Sequence, residues 1–221
     1  MAFDVKAVMF DLDGTLVHTA PEIATAINEM LAELGLSQLP QQQIERYIGE
    51  GAQMLVRRCI TAHTHSEPDD VLFEQAQALF FAHYADNVTR SKPYDGAIET
   101  LAALQDKGLK LACVTNKPEK FTMPLLDASG LLDFFEIVVC GDTLPKKKPD
   151  PIQLRYICAK FNVLEAEAML VGDSLTDVAA AHAAGCYIVT VPYGYNQGKP
   201  IDHSLVDDTI TSLTDLVHLL T

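Results

Sequence analysis

Positive charge is scarce in this sequence. Sixteen lysines and arginines stand against thirty aspartates and glutamates in 221 residues, for a formal net charge of −14. Nucleic-acid binding draws on basic patches, so a nucleic acid is a poor partner. The one dense basic run is Lys146-Lys147-Lys148, too short to reverse the overall field. Five cysteines (Cys59, Cys113, Cys140, Cys158 and Cys186) form no C-x-x-C pair. Their odd count and scattered spacing exclude a disulfide framework or a zinc cluster and fit reduced, buried thiols in a cytoplasmic protein. The start Met1-Ala2-Phe3-Asp4 has no charged region followed by an apolar one, so no secretory leader is expected. No apolar run reaches spanning length, so no membrane segment is expected. Internal repeats and low-complexity stretches are also missing.

Apolar residues make up 48% of the chain, enough for one or two domains with a sizeable core. Five short apolar runs read as strands: Lys6 to Phe10, Lys110 to Val114, Glu136 to Cys140, Met169 to Val171 and Tyr187 to Val191. Near-continuous apolar strands suit a sheet covered on both faces. Helical patterns alternate with them. Asp95 to Lys107 stops at Gly108, Pro118 opens another helix, and Pro151 to Phe161 and Leu175 to Ala184 follow. Such alternation implies an α/β, doubly wound parallel sheet of the Rossmann-like kind.

From Val17 to Asn87 the alternation fails. Three helical patterns occur there, Glu22 to Leu34, Gln41 to Cys59 and Asp70 to Tyr84, with no convincing strand. The division expected is an α/β core domain of residues 1–16 and 88–221 and a helical cap domain of residues 17–87. An insert directly after the first strand sits where ligands bind in open α/β sheets.

Four loops at strand ends carry the chemistry. They are Asp11-Leu12-Asp13-Gly14-Thr15, Thr115-Asn116-Lys117-Pro118, Lys148-Pro149-Asp150-Pro151 and Gly172-Asp173-Ser174-Leu175-Thr176-Asp177. In a doubly wound sheet they converge on one edge. Asp11, Asp173 and Asp177 with carbonyl and water oxygens make a hard all-oxygen site suited to Mg²⁺. Thr115, Asn116 and Lys148 can hold the oxygens of a phosphoryl group, and Gly14 lets backbone N–H groups approach closely. A carboxylate facing a fixed phosphate is a nucleophile, and a second one two residues on can protonate the leaving oxygen and then deprotonate water. Singly, each motif has a plain structural reading as a turn, a helix cap or a solvated lysine. All four in order, each at a strand end, argue against coincidence.

These four motifs resemble those of the haloacid dehalogenase-like superfamily of phosphohydrolases, and the likeness spans nearly the whole chain. The resemblance implies Asp11 as nucleophile and Asp13 as general acid and base. It implies Mg²⁺ held by Asp11, the backbone carbonyl of Asp13, and Asp173, with Asp177 in the outer shell. Gly14, Thr115, Asn116 and Lys148 would bind phosphate. Within the superfamily the chain looks most like the phosphoglycolate phosphatase subgroup, through Ala20-Pro21, Ile48-Gly49-Glu50-Gly51-Ala52, Val114 to Pro118 and Tyr193-Gly194-Tyr195-Asn196. His18 departs from that subgroup, where an acid is usual. The expected substrate is a small phosphorylated metabolite such as 2-phosphoglycolate, and a sugar-phosphate mutase is the alternative. Asp13 argues against dehalogenation, because halide leaves unprotonated. Residues 17–87 contain no lysine, which argues against Schiff-base phosphonate cleavage. Arg58 and Glu50 are the cap residues expected to meet substrate. Monomer and homodimer both stay open.

Overall fold

A computed structural model describes residues 2–221. Its centre is a six-stranded, wholly parallel sheet in the order β5-β4-β1-β6-β7-β8. The strands are β1 (Ala7–Phe10), β4 (Lys110–Val114), β5 (Ile137–Val139), β6 (Ala168–Gly172), β7 (Tyr187–Thr190) and β8 (Asp208–Thr209). The two-residue β8 has no apolar run of its own, so its sequence carries no strand signal.

Side-chain alternation divides the core into two layers. Val8, Phe10, Leu111, Cys113, Met169 and Val171 face one layer. Ala7, Met9, Ala112, Val114, Ala168 and Leu170 face the other. Helices α5 (Ala97–Asp106) and α6 (Glu119–Ala128) cover the first face through Leu101, Leu104, Leu125 and Leu126. Helices α7 (Ile152–Phe161) and α8 (Leu175–Ala184) cover the second through Leu154, Ile157, Val178 and Ala181. Pro118 stands just before α6, in extended conformation, rather than as its first residue. All five cysteines are free and buried, as their spacing implied. Among the described residues no helix is long and apolar enough to cross a membrane.

The chain leaves the sheet region at β2 (Val17–His18) and returns at β3 (Lys92–Pro93), and these strands pair antiparallel. Between them lie four helices, α1 (Ala20–Glu33), α2 (Gln41–Glu45), α3 (Ala52–Thr64) and α4 (Asp70–Asn87). Ile23, Ile27, Met30 and Leu31 of α1 share one apolar layer with Ala76, Phe80 and Tyr84 of α4. The expected single helix from Gln41 to Cys59 is in fact two. Gly49 and Gly51 adopt φ of 119° and 90°, which no α-helix accommodates. The break turns Ile48 to Gly51 inward as a loop.

Candidate active site

The strand order places β1 between β4 and β6. Chain direction across the sheet reverses there, so the loops following these three strands meet in one crevice. Asp11 leaves the end of β1, and its backbone N–H still bonds Val171 O at 2.9 Å. Leu12 turns into the core, fully buried.

Lys148 reaches the centre of the crevice. Its buried ammonium donates to Asp11 Oδ1 at 2.7 Å, Asp177 Oδ1 at 2.7 Å and Val114 O at 2.9 Å. Those three bonds use its three donors. Burial pulls this lysine down, but Asp11 and Asp177 outweigh it and hold the ammonium above the usual lysine value. Asp177 Oδ2 accepts from Ser174 N at 3.1 Å and from Ser174 Oγ at 2.6 Å. Asp177 therefore ties the start of α8 to Lys148. Asp173 accepts from Tyr195 N at 2.6 Å and Thr15 Oγ1 at 3.2 Å.

Oxygens of Asp11, Asp173 and Asp177 lie within 4.8 Å of one another. Three buried carboxylates against one ammonium leave the cluster short of positive charge. Burial raises Asp11 most, Lys148 pulls it back, Asp177 raises it again, and the net position is about 7. Burial, then Asp11 and Asp177, likewise raise Asp173 well above the carboxylate range. An all-oxygen, electron-rich cluster with a charge deficit fits a hard divalent cation such as Mg²⁺.

Asp13 sits beside this cluster and faces a different lysine. Lys117 Nζ donates to Asp13 Oδ1 at 2.8 Å and to Tyr84 Oη at 2.6 Å. In the sequence Lys117 stands out only as part of the Thr115-Asn116-Lys117-Pro118 motif, and Tyr84 carries no signal beyond its helical pattern. No local pattern links Tyr84 on α4 to a loop 33 residues further on.

The other expected residues distribute as follows. Thr115 is buried at the end of β4, where Oγ1 accepts from Lys117 N at 3.1 Å. Asn116 Nδ2 donates to Lys148 O at 2.9 Å and to Gly49 O at 3.1 Å, joining the insert's loop to the crevice. Its Oδ1 is buried without a partner. Gly14 has φ +91°, and a Cβ there would lie 2.6 Å from Asp173 Oδ2. Gly14 N–H already bonds Val17 O at 3.0 Å, so this glycine serves close approach rather than donating inward. His18 is exposed and stacks on Tyr94 with ring centroids 5.5 Å apart. Arg58 pairs with Glu50, and Glu50 also accepts from Gln197 Nε2 at 3.1 Å. That set bridges α3 to the loop after β7.

A cavity of about 50 Å³ opens between Asp11, Asp13 and the helical insert. Ile23, Ile48, Leu55, Phe80 and Phe121 make it largely apolar, while Thr115, Asn116, Lys117 and Tyr84 supply its polar atoms. Neither Arg58 nor Glu50 lines it.

The family model for a haloacid dehalogenase-like hydrolase matches residues 8–191. A phosphoglycolate phosphatase of Thiobacillus denitrificans is 48% identical over 218 residues, covering 98% of this chain and 96% of that protein. One of Nitrosospira multiformis is 48% identical over 217 residues, with the same coverage. A crystal structure described as a predicted phosphoglycolate phosphatase from Haemophilus somnus superposes with a TM-score of 0.93 at 36% identity, covering 98% of both chains.

Proposed function

The chain belongs to the haloacid dehalogenase-like hydrolase family, and on that premise we propose that it hydrolyses 2-phosphoglycolate to glycolate and phosphate through an aspartyl-phosphate on Asp11. The observation that carries the reading is the meeting of Asp11, Asp13, Thr115, Lys148 and Asp173 at one switch point of the sheet. The names of the relatives supply the substrate.

Asp11 attacks phosphorus while the bond to the ester oxygen breaks. Asp13 protonates the departing alkoxide. It then takes a proton from the water that attacks the phospho-aspartate, and phosphate leaves with Asp11 restored. Proton transfer of this kind contributes about 10²–10⁴-fold. Thr115, whose hydroxyl hydrogen is uncommitted, donates to a phosphoryl oxygen, and Asn116 reaches another by giving up one of its present acceptors. Lys148 balances Asp11 and sets the positive charge beside the phosphoryl group. Gly14 lets the first loop pack against Asp173. Mg²⁺ would be held by Asp11, the Asp13 carbonyl and Asp173, with Asp177 beyond them, and supplies positive charge against the phosphoryl oxygens.

Residues 17–87 act as a cap hinged at the β2–β3 ribbon. Closure excludes water and completes the cavity. The small, largely apolar cavity favours a compact leaving group. The setting consistent with this chemistry is the cytoplasm.

The test is release of inorganic phosphate from 2-phosphoglycolate in the presence of Mg²⁺. Asp11→Asn is expected to lower kcat by about 10³-fold or more. Full activity in that variant overturns the nucleophile assignment.

A further inference from the structure

Building on the phosphatase reading above, we propose that Lys117 selects the substrate, its buried ammonium receiving the carboxylate of a small carboxylate-bearing phosphate ester. A doubly charged phosphate beside an apolar cavity leaves open how a second anionic group on the same molecule is accepted. Among the described residues lining that cavity, Lys117 is the only cation. Lys148 is not among them, and its donors are already engaged by Asp11, Asp177 and Val114. Arg58 is committed to Glu50. Arg57 lies over the Phe73 ring at 3.9 Å.

Geometry puts Lys117 where the carboxylate must fall. In 2-phosphoglycolate a single methylene separates the ester oxygen from the carboxyl carbon. The ester oxygen is the atom that Asp13 protonates, and Lys117 Nζ lies 2.8 Å from Asp13 Oδ1. A carboxylate so close to the leaving oxygen falls within reach of the same ammonium. Two of its three N–H groups are taken, by Asp13 and by Tyr84, which leaves one for a ligand. The Lys117 side chain is only 4% exposed, so a carboxylate reaching it is stripped of water and gains a charge-assisted bond. An uncharged analogue leaves that donor unmet in a closed site, and unmet buried donors are strongly discriminating.

Tyr84 gives the contact a second function. It comes from α4 in the insert, whereas Lys117 belongs to the loop after β4, so their 2.6 Å bond crosses the cap–core boundary. Opening the cap removes Tyr84 and uncovers the ammonium. Closing over a bound carboxylate restores the bond, so recognition and closure act together.

The experiment compares kcat/KM for 2-phosphoglycolate and for its carboxyl methyl ester, which keeps the phosphate and removes the negative charge. Wild-type protein is expected to prefer the free acid by roughly 10²-fold or more. Lys117→Gln, which keeps a polar group beside Asp13, is expected to slow both substrates and to collapse that ratio about tenfold or more, chiefly through KM for the acid. Lys117→Arg is expected to recover part of the ratio. A ratio unchanged in Lys117→Gln overturns the assignment and leaves Lys117 a structural tie. Where Lys117→Gln does not fold, Lys117→Arg carries the test: a ratio equal to that of wild type, despite its displaced donors, overturns the assignment, and a lowered ratio supports it. A protein that cleaves acid and methyl ester equally overturns the Lys117 assignment alone. A protein that cleaves no phosphate ester overturns the phosphatase reading and this assignment with it.

Discussion

At the scale of single residues, two pairs of opposite charge divide the work of the crevice. Asp11 bonds Lys148 and Asp13 bonds Lys117, each through one carboxylate oxygen. The Asp11 pair shares its lysine with Asp177 and stands near Asp173, so the cluster is short of positive charge. This has a consequence for metal-free protein. The folded Asp11 carboxyl sits at about 7 against 3.8 for the free group. The folded state therefore binds this proton more tightly than the unfolded chain does. Its contribution to stability is complete below the unfolded value and is lost as pH rises through the folded one. In chelator, Asp11→Asn is expected to gain stability over wild type as pH climbs from about 4 to about 7. Thermal denaturation across that range checks this, and parallel curves for the two proteins would count against it. Added Mg²⁺ is expected to raise the wild-type melting temperature more at neutral than at acid pH. The aspartates were legible in the sequence because they sit at strand ends in a recognisable order. Tyr84 was not, because its partner is set by packing.

At the scale of elements, glycines set how closely the loops approach. Gly14 and Gly35 both have positive φ, but their surroundings differ. A Cβ on Gly14 meets Asp173 Oδ2 at 2.6 Å, and one on Gly35 meets nothing within 4 Å. Gly35→Ala is expected to cost only the left-handed backbone penalty, about 1–2 kcal/mol. Gly14→Ala adds a clash with a buried carboxylate and is expected to cost clearly more, with loss of turnover as Asp173 is pushed aside. Urea denaturation of the two variants measures the difference, and equal costs would show that the contact with Asp173 is easily relieved. The helix boundaries in this chain follow similar local chemistry. Leu175 to Ala184 was legible to the residue, since Ser174 caps it and Gly185 ends it in the left-handed conformation. Gln41 to Cys59 misled because its apolar spacing outlasts its backbone, which Gly49 and Gly51 interrupt.

At the scale of the molecule, an acidic protein must bring an anion to its centre. A second cleft of about 520 Å³ opens outside the cavity, shares Ala52, Asn116 and Pro118 with it, and carries Lys120, Lys146 and Lys147. Local positive charge at an opening raises capture rates even where the net charge is negative. The double variant Lys120→Glu, Lys147→Glu is expected to lower kcat/KM at low ionic strength, and the deficit is expected to shrink as salt screens it. Stopped-flow or steady-state rates across a salt series check this. A deficit that does not change with salt points to lost packing instead.

The sequence by itself determined the layered α/β architecture, the helical interruption and the four acid- and lysine-bearing loops. All of these rest on period, on turn residues and on short-range spacing, which one chain displays without folding. Only the tertiary structure decided which lysine faces which aspartate, that Arg58 is spent on Glu50, and that Lys117 and Tyr84 meet across the boundary between insert and sheet. Those pairings join residues far apart in the chain. They are set by the β5-β4-β1-β6-β7-β8 strand order and by how the four inserted helices settle over its edge.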